Sequence, residues 1–285
     1  WIPNIFLSQE EVDAFKSEST ENDETETVNT SLIRIAPAAE SGTETADDGV
    51  ELIAITHGTA KGKLLIVRDP SRVILGVSSE EFNAKTPGLQ LTELVAKYGG
   101  VAGTNAGGFN DENGRGNGGV PQGLVISGGA LLHTAREGER YNVVGFDADH
   151  ILHVGTMTAD EALAQGLTDA VSFRTHDGLA SSLIINGEVQ SKNLGGGVNP
   201  RTAIGQCADG SVLLLVLDGR SINTLGATMQ DVADIMLEYG AVNAGNLDGG
   251  SSSVMVYDGE IINNCASVTG PRNIPTAFIV LPEGD

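Results

Sequence analysis

The sequence has few aromatic residues, few basic residues and no long apolar run. Phe, Trp and Tyr make up only 4% of its 285 residues, so its core must consist mainly of aliphatic side chains. Its 16 lysines and arginines stand against 38 aspartates and glutamates, which gives a formal net charge of −22. A chain this acidic repels DNA, RNA and anionic lipid at long range. We therefore expect no nucleic-acid partner, and any anionic ligand would need local arginines.

Several well-known functional motifs are missing as well. No apolar segment approaches the roughly 18 residues that cross a bilayer. The sequence contains no HExxH, GxSxG or Walker A motif and no Cys/His cluster with zinc spacing. Its two cysteines, Cys207 and Cys265, are compatible with either a disulfide or two free thiols. We therefore predict no cofactor, with a bound divalent cation left open.

The N-terminal part of the chain differs from the rest in composition. Residues 1–50 contain 12 Asp and Glu but only 2 Lys and Arg. We interpret them as an acidic extension with one strand at residues 31–36, and residues 51–285 as the main domain. The first residue is Trp1 rather than Met. We therefore expect an export signal or membrane anchor outside this chain and an extracellular or cell-surface location, while the oligomeric state stays open.

Glycine-rich turns separate many short apolar segments, which predicts a fold dominated by short strands. Three segments share a pattern of strand, two-residue turn and strand that is typical of hairpins, namely residues 124–133, 182–190 and 254–262. Apolar residues at helical spacing predict a helix at residues 89–98. We therefore predict the α+β class (mixed α/β), with a mixed sheet and several β-hairpins.

The C-terminal half contains a strand–helix–strand pattern. The continuous apolar run at residues 211–218 is typical of a strand covered on both faces. Helical spacing follows in residues 227–240, and residues 241–248 return to an extended pattern. This predicts one βαβ unit near the C-terminus, whose parallel strands end at the same sheet edge. Asp218 and Asp248 would then lie together where open α/β sheets bind ligands.

Asp248 begins the segment DGGSSS, which combines a carboxylate with two glycines and three hydroxyls. Glycines allow a tight turn and close approach of the backbone to a ligand. Successive N–H groups in such a turn can bind an anion. The candidate ligand-binding residues here are Asn246, Gly249, Gly250, Ser251, Ser252 and Ser253. The structural alternative is an ordinary β-turn closed by the Asp248 side chain.

Arginines near the predicted sheet edge are candidates for binding phosphate or carboxylate. A guanidinium holds such groups through two parallel hydrogen bonds. Arg201 precedes an apolar segment and Arg220 follows Asp218, and the structural alternative for both is a surface salt bridge. Three further arginines are weaker candidates: Arg136, Arg140 and Arg272. The long glycine-rich loop adds polar and aromatic candidates: Asn105, Phe109, Asn110 and Asp111.

An ordered set of motifs runs through the chain: TNAGGFN, VPQGLVISGG, SLIINGE, PRTAIGQ, LLLVLDGR, NLDGGSSSVMVYDGEIIN and PRNIPTAFIV. Together they resemble the phosphodiester glycosidase family over roughly residues 90–281, with NAGGFN where a loop closer to NAGFF is expected. The resemblance implies hydrolysis of a sugar-1-phosphodiester, of the N-acetylglucosamine type, at the C1–O bond. It makes residues 51–285 the catalytic domain and a phosphorylated cell-surface or exopolysaccharide glycan the expected partner.

The chemistry of such a substrate gives the candidate residues their roles. A phosphate monoester has a second pKa of about 6, so it leaves without a strong proton donor but needs its charge stabilised. Arg201 and Arg220 would supply that stabilisation. The sugar needs a carboxylate that activates water or shields positive charge at C1. Asp248 is the first candidate and Asp218 the second. Sugar or phosphate oxygens would be held by Asn105, Asn110, Asn246 and the hydroxyls of Ser251, Ser252 and Ser253.

Two other functions fit the same residues. The first is a non-catalytic domain that binds cell-wall carbohydrate, although the low aromatic content counts against it. The second is a metal-dependent phosphodiesterase in which aspartates and asparagines hold Mg²⁺ or Ca²⁺. It would release a sugar-1-phosphate and lose activity in EDTA.

Overall fold

The structure is a computed structural model that describes residues 27–35, 49–111, 116–173, 181–221, 224–266 and 270–284. Within these ranges it contains seventeen β-strands and three α-helices, which confirms the predicted α+β class. The strands are β1 (Val50–His57), β2 (Ala60–Val67), β3 (Val73–Val77), β4 (Ala102–Asn105), β5 (Leu124–Ser127), β6 (Ala130–Thr134), β7 (Tyr141–Asp147), β8 (Leu152–Met157), β9 (Leu167–Ser172), β10 (Ser182–Ile185), β11 (Glu188–Val189), β12 (Arg201–Cys207), β13 (Val212–Leu217), β14 (Ala241–Asn246), β15 (Met255–Tyr257), β16 (Glu260–Ile261) and β17 (Thr276–Val280). The helices are α1 (Leu91–Lys97), α2 (Ala159–Ala164) and α3 (Met229–Glu238).

These strands form three sheets. The large sheet has the order β1-β2-β13-β12-β14-β10-β11. The second sheet has the order β16-β15-β4-β17-β3, and the third has the order β6-β5-β9-β7-β8. All pairings between the described strands are antiparallel.

One apolar core lies where the three sheets meet. Leu214 of the large sheet, Phe278 of the second and Phe146 of the third are all fully buried in it. The rings of Phe146 and Phe278 pack edge to face with their centroids 6.1 Å apart. Each helix covers the outer face of one sheet and closes a smaller apolar cluster, α3 on the large sheet, α1 on the second and α2 on the third. Packing thus occupies the sheet faces, and the loops at the strand ends remain for a functional site.

The strand predicted at residues 211–218 is confirmed as β13, and its six residues are all buried. Val212, Leu214 and Val216 lie in the central core, whereas the alternate residues lie in the cluster beneath α3. Full burial of such side chains contributes roughly 1.5–3 kcal/mol each. The double-sided burial explains why this segment reads as a continuous apolar run.

The predicted strand–helix–strand unit is present, but its two strands are not neighbours. β13 leads into α3, whose N-terminus is closed by a capping box between Thr228 and Asp231, and α3 leads into β14. β13 and β14 run parallel because β12 lies between them and pairs antiparallel with both. The predicted mixed sheet is therefore wrong for the described strands, because β13 and β14 each pair with the antiparallel β12 and not with each other. The ends of β13 and β14 still meet the start of β12 at one edge of the large sheet.

The three predicted hairpins are confirmed as β5–β6, β10–β11 and β15–β16. The strand predicted at residues 31–36 is wrong for the part of that segment that the structure describes. Thr30–Leu32 forms a 3-10 turn, because the Asn29 side chain caps it by accepting a hydrogen bond from the Ser31 N–H. The remainder of the predicted extension, residues 1–26 and 36–48, lies outside the described residues. Across the described part of the chain, no helix is both long enough and apolar enough to cross a membrane.

Candidate active site

Three strand ends bring the two predicted aspartates to the same edge of the large sheet. Asp218 directly follows β13, Asp248 lies just beyond β14, and Arg201 begins β12 between them. Neighbouring strands lie about 4.8 Å apart, so the two strand ends flank the start of β12 at a separation of about 10 Å. The predicted meeting of Asp218 and Asp248 at one sheet edge therefore agrees with the topology.

Glycines let the turns after β13 and β14 pack against Pro200. A Cβ atom added to Gly219 would lie 2.6 Å from the Pro200 ring, and one added to Gly249 would lie 2.9 Å from the Pro200 carbonyl oxygen. The N–H of Gly250 donates to the same carbonyl at 3.0 Å. Gly250 has a φ of 64°, in the left-handed region that favours glycine. The segment DGGSSS thus forms a 3-10 turn at Gly250–Ser252 that is fixed against the start of β12.

Asn105 holds this turn in place from the end of β4. Its side chain is buried, and its Nδ2 donates to the backbone carbonyl of Asp248 at 2.6 Å. Its Oδ1 accepts hydrogen bonds from the Thr202 hydroxyl at 2.8 Å and from the Val254 N–H at 3.1 Å. Protein groups therefore occupy the amide that the sequence suggests for substrate, which gives Asn105 a positioning role.

The Asp248 carboxyl is partly buried and carries a raised pKa. Burial raises this pKa to about 7. The hydrogen bonds from the Ser252 hydroxyl and the Gly249 N–H act in the opposite direction, as does the charge of Arg272, whereas the charge of Asp111 adds to the increase. A carboxyl group that titrates near neutrality is suited to exchange a proton during catalysis.

Arg272 connects the turn that carries Asp248 to the glycine-rich loop. Its Nη1 donates to the Ser251 hydroxyl at 3.1 Å, and its Nη2 donates to the Asp111 carboxylate and to the Gly116 carbonyl, the latter at 3.0 Å. The guanidinium also lies over the Phe109 ring, 5.3 Å from its centroid, a geometry that favours a cation. Only 12% of the Arg272 side chain is exposed, against 43% for Asp111. Arg272 therefore forms a partly buried link directly behind the carboxylates.

Asp248 and Asp111 both line a cleft with a volume of about 1240 Å³. One wall comes from the glycine-rich loop, which includes Asn110, and the opposite wall comes from the third sheet and the loop between β6 and β7. The ionisable groups of the second wall are His133, Arg136, Glu139, Arg140 and Tyr141. Burial lowers the pKa of His133. The cleft is large enough for a sugar together with the group attached to it.

Two glycines explain how the loop after β4 forms this wall. A Cβ atom at Gly107 would lie 2.9 Å from the side chain of Val171, and one at Gly108 would lie 2.9 Å from the amide oxygen of Gln122. The backbone therefore passes between β9 and the second half of the loop, and Phe109 follows as a buried residue. Phe109, directly after these glycines, both lines the cleft and lies beneath the Arg272 guanidinium.

Asp218 forms a different set of contacts. Its two carboxylate oxygens accept hydrogen bonds of 3.0 Å from the backbone N–H and the side-chain Nδ2 of Asn264. Cys265 follows, and burial together with the charge of Asp218 raises the pKa of its thiol. The described residues that line the cleft include Asp248 but not Asp218. Although both follow strands that end at the same edge of the sheet, Asp248 lines the cleft whereas Asp218 is hydrogen-bonded to the loop that contains Asn264.

Neither of the two arginines favoured by sequence is among the described residues that line the cleft with Asp248. Arg201 is buried on the face of the large sheet that α3 covers, where its Nε donates to the Ala227 carbonyl at 3.2 Å. Its Nη2 donates to the carbonyls of Gly196 and Gly197 at 3.1 and 2.6 Å. Arg220 is exposed beyond the end of β13.

The other predicted binding residues divide between cleft and interior. Asn110 is exposed and lines the cleft. Asn246 and Ser253 are almost fully buried. The Oδ1 of Asn246 and the hydroxyl of Ser253 have no hydrogen-bond partner among the described residues. The described residues contain no group of three or more His, Cys, Asp or Glu that could hold a metal ion, and Cys207 and Cys265 are free thiols.

Sequence reasoning underrated Asp111 and Arg272. Asp111 stands three residues beyond Gly108, and Arg272 stands four residues before β17, which pairs with β4. That pairing brings the segments around both residues together at one edge of the second sheet. The signal available in the sequence was a second acid in the glycine-rich loop and an arginine next to a strand, but only the pairing of β4 with β17 connects them.

Comparison with known proteins identifies the family. A family model described as phosphodiester glycosidase matches residues 98–281 of the chain. The chain belongs to the phosphodiester glycosidase family. The matched residues include each predicted site residue as well as Asp111 and Arg272, and the resemblance seen in the sequence motifs is confirmed.

A solved relative of this phosphodiester glycosidase domain shares its fold at low sequence identity, and two curated relatives match short parts of its sequence. The zebrafish N-acetylglucosamine-1-phosphodiester alpha-N-acetylglucosaminidase catalytic domain, auto-inhibited by its pro-peptide, superposes with a TM-score of 0.66 at 19% identity, over 85% of each chain. The SPbeta prophage-derived uncharacterized protein YomE of Bacillus subtilis is 38% identical over 87 residues, which are 30% of this chain and 14% of YomE. The Bos taurus N-acetylglucosamine-1-phosphodiester alpha-N-acetylglucosaminidase is 36% identical over 64 residues, which are 22% of this chain and 12% of that enzyme. The matches thus span a small part of the length of these two curated relatives.

Proposed function

We propose that this chain is a glycoside hydrolase that cleaves a sugar-1-phosphodiester, of the N-acetylglucosamine type, at the bond between the sugar C1 and the phosphate oxygen. The observation that carries the proposal is the Asp248 carboxyl, whose pKa burial raises to about 7 and which lines the large cleft. Membership of the phosphodiester glycosidase family supports the reaction class. The names of the zebrafish and bovine relatives support the sugar.

The reaction needs a group that takes a proton from water as the water attacks C1. The C1–O bond breaks, its electron pair leaves with the phosphate oxygen, and the new C1–OH completes the free sugar. Asp248 in its carboxylate form accepts the proton of the attacking water. Its Ser252 and Gly249 donors stabilise that ionised form, whereas the protein around it favours the neutral form. The balance allows Asp248 to accept the proton and release it again near neutral pH.

The leaving phosphate monoester carries its own negative charge, which a guanidinium stabilises. The sequence suggests Arg201 and Arg220 for this role, but Arg201 already donates to three backbone carbonyls. Arg136 lies on the wall of the cleft, with 82% of its side chain exposed and only a 4.0 Å ion pair with Glu139. Arg136 is therefore the cleft arginine that reaches a bound phosphate with least loss of existing contacts. Arg140 is committed to Glu161 by two hydrogen bonds of 2.9 and 2.8 Å.

The biological setting follows from the same chemistry. A phosphorylated glycan at a bacterial cell surface or in exopolysaccharide carries the required linkage, and we propose it as the substrate. An export signal or anchor outside this chain would deliver the domain to that location. We propose that the hydrolysis needs no cofactor, and a divalent-cation requirement is one outcome of the test below.

The test uses an aryl or nucleotide diester of N-acetylglucosamine-1-phosphate in water enriched in ¹⁸O. Cleavage at C1–O yields a phosphate monoester that contains no ¹⁸O by mass spectrometry. A phosphodiesterase would place ¹⁸O in the phosphate product and release a sugar-1-phosphate. Release that stops in EDTA and returns with Mg²⁺ or Ca²⁺ would identify a metal-dependent enzyme. Binding of the intact diester without release of any product would identify a carbohydrate-binding domain.

The matching variant is Asp248→Asn, which keeps the size of the side chain and removes its basicity. We expect kcat/KM to fall by roughly 10²–10⁴-fold, the range of general acid–base catalysis. Asp209→Asn serves as the control, because Asp209 caps a surface turn by accepting from the Ser211 N–H at 2.9 Å and Asn keeps that acceptor. Full turnover of Asp248→Asn would rule out Asp248 as the base.

A further inference from the structure

We propose that Asp111 is the second carboxylate of the active site and that Arg272 is the residue that positions it. This inference rests on the function proposed above. Enzymes that hydrolyse glycosidic bonds commonly use two carboxyl groups on either side of the scissile bond. Sequence alone suggests Asp218 as the partner of Asp248, whereas the geometry of the cleft points to Asp111.

Asp111 and Asp248 share one cleft and act on each other electrostatically. Both line its wall, and the charge of Asp111 acts on the Asp248 carboxyl. Arg272 lies behind them and donates to the Asp111 carboxylate and to Ser251, three residues from Asp248. Asp111 is 43% exposed, so its other oxygen lone pairs face the space that a substrate would fill. The two acids therefore line one cleft, and Arg272 is hydrogen-bonded to one of them and acts on the other through its charge.

The environments of the two acids are suited to different roles. The Asp111 carboxylate accepts a hydrogen bond from the Arg272 guanidinium, which fixes its position. Asp248 lies among protein atoms that favour its neutral form. Such unlike surroundings suit two different roles, one carboxylate held in place beside the reacting carbon and the other exchanging a proton.

Asp218 does not meet these requirements. Its two oxygens are bonded to Asn264, and within the described residues it does not line the cleft. It supports the loop beyond β16 instead. The contrast is informative because Asp218 and Asp248 follow parallel strands and look equivalent in the sequence.

In the proposed step, the Asp111 carboxylate faces C1 and stabilises the positive charge that develops there as the C1–O bond breaks. The electron pair of that bond leaves on the phosphate oxygen. Water adds to C1, and its proton passes to the Asp248 carboxylate. Arg272 takes no part in the bond changes, because it lies behind Asp111 with only 12% of its side chain exposed, and it acts by holding Asp111.

The pH dependence of kcat/KM therefore tests whether Asp111 and Arg272 act on the Asp248 carboxyl. With Asp248 as the base, kcat/KM rises with pH as Asp248 loses its proton. Asp111→Asn removes a neighbouring negative charge, so Asp248 ionises more readily and the rise moves to lower pH. Arg272→Gln removes a positive charge, so the rise moves to higher pH. The other ionisable groups of the cleft, His133, Arg136, Glu139, Arg140 and Tyr141, remain unchanged in both variants.

The experiment compares Asp111→Asn, Asp111→Ala and Arg272→Gln in the full chain. We expect Asp111→Asn to lower kcat/KM by about 100-fold or more at its own optimum and to shift the pH profile downward. In Asp111→Ala, added azide should fill the vacated space, attack C1 and release the phosphate monoester, which yields a glycosyl azide. Asp218→Ala treated with azide is the matched control and should yield no glycosyl azide. Carbon-detected NMR of the Asp248 carboxyl measures the change in its titration midpoint directly, without any turnover.

The outcomes separate this inference from the proposed function. If the wild type hydrolyses the diester and Asp248→Asn does not, but Asp111→Asn matches the wild type in rate and in pH profile, the role of Asp111 is refuted and the hydrolase remains. If Asp218→Ala and not Asp111→Ala yields a glycosyl azide, the second carboxylate of the active site is Asp218. A wild type that hydrolyses no sugar phosphodiester would overturn both. If Asp111→Ala fails to fold, the NMR titration of Asp248 in Asp111→Asn decides, and an unchanged or higher midpoint refutes the pairing.

Discussion

The side-chain amide of Asn105 donates a 2.6 Å hydrogen bond to the backbone carbonyl of Asp248. The bond joins the end of β4 in the second sheet to the turn after β14 in the large sheet. The same side chain accepts from Thr202 and Val254, so one buried residue fixes the position of the candidate catalytic base relative to both sheets.

Asn105→Ala should therefore reduce both stability and turnover. The substitution leaves the buried N–H of Val254 without its acceptor and frees the turn, so we expect a loss of about 2–4 kcal/mol in the free energy of unfolding. Denaturant unfolding measures the first effect and kcat/KM the second. Asn83→Ala is the control, since Asn83 caps an exposed turn. An Asn105→Ala protein of normal stability and activity would contradict the positioning role.

Asp248→Asn should stabilise the protein at high pH. Because the pKa of Asp248 is raised to about 7 in the folded chain, its contribution to stability is fully present below the ordinary carboxyl pKa and is lost as the pH rises through about 7. The pKa difference sets an upper limit of about 4 kcal/mol, and partial exposure to water in the cleft reduces the expected gain to about 1–2 kcal/mol. The variant should thus melt above the wild type at about pH 8, with the difference closing by about pH 4. A constant difference across this range would show that Asp248 titrates normally.

Asp218→Asn should affect stability more than catalysis. An Asn side chain at this position offers only one oxygen, and its NH₂ group would face the Asn264 donors, so a loss of about 1–2 kcal/mol follows. We expect kcat/KM to change by less than about tenfold, measured beside a thermal unfolding curve. The opposite pattern, an inactive protein with an unchanged melting temperature, would restore Asp218 as a catalytic group.

Gly249→Ala should damage the site through the backbone. The added methyl would lie 2.9 Å from the Pro200 carbonyl oxygen, closer than real contacts allow, so the turn carrying Asp248 must move. We expect kcat/KM to fall at least about tenfold, since small displacements of catalytic groups are costly. Gly284→Ala is a suitable comparison, because a Cβ atom added to Gly284 would meet no heavy atom within 4 Å and its φ lies outside the left-handed region. Equal effects from both substitutions would show that the approach to Pro200 is unimportant.

Local patterns were sufficient to predict much of the fold. The hairpin turns Gly128-Gly129, Asn186-Gly187 and Asp258-Gly259 all adopt positive φ, as their residue types require. β13 could also be predicted from its unbroken apolar run, and α3 from the helical spacing of its apolar residues. The position of β12 between β13 and β14 could not be predicted, because the pairing of β12 with the distant β14 leaves no periodic signal in either strand.

The candidate site was predictable only in part for the same reason. The acid–glycine–serine turn identified Asp248 directly. The contributions of Asp111 and Arg272 depend on contacts between residues 161 positions apart, which a single sequence does not show. Asp218 looked like Asp248 because both follow strands with the same direction. The structure separates them, because Asp218 is hydrogen-bonded to Asn264 whereas Asp248 lines the cleft.

The insertion of β12 between β13 and β14 has a practical consequence for redesign. The spacing of Asp218 and Asp248 is set by two ladders of hydrogen bonds and not by the connection through α3. Loops before and after α3 can therefore be lengthened, shortened or exchanged while the geometry of the strand tips is conserved. Among the described residues the cleft is lined by the loop between β6 and β7 and not by these connections, so new substrate preferences should be sought by grafting at the β6–β7 loop.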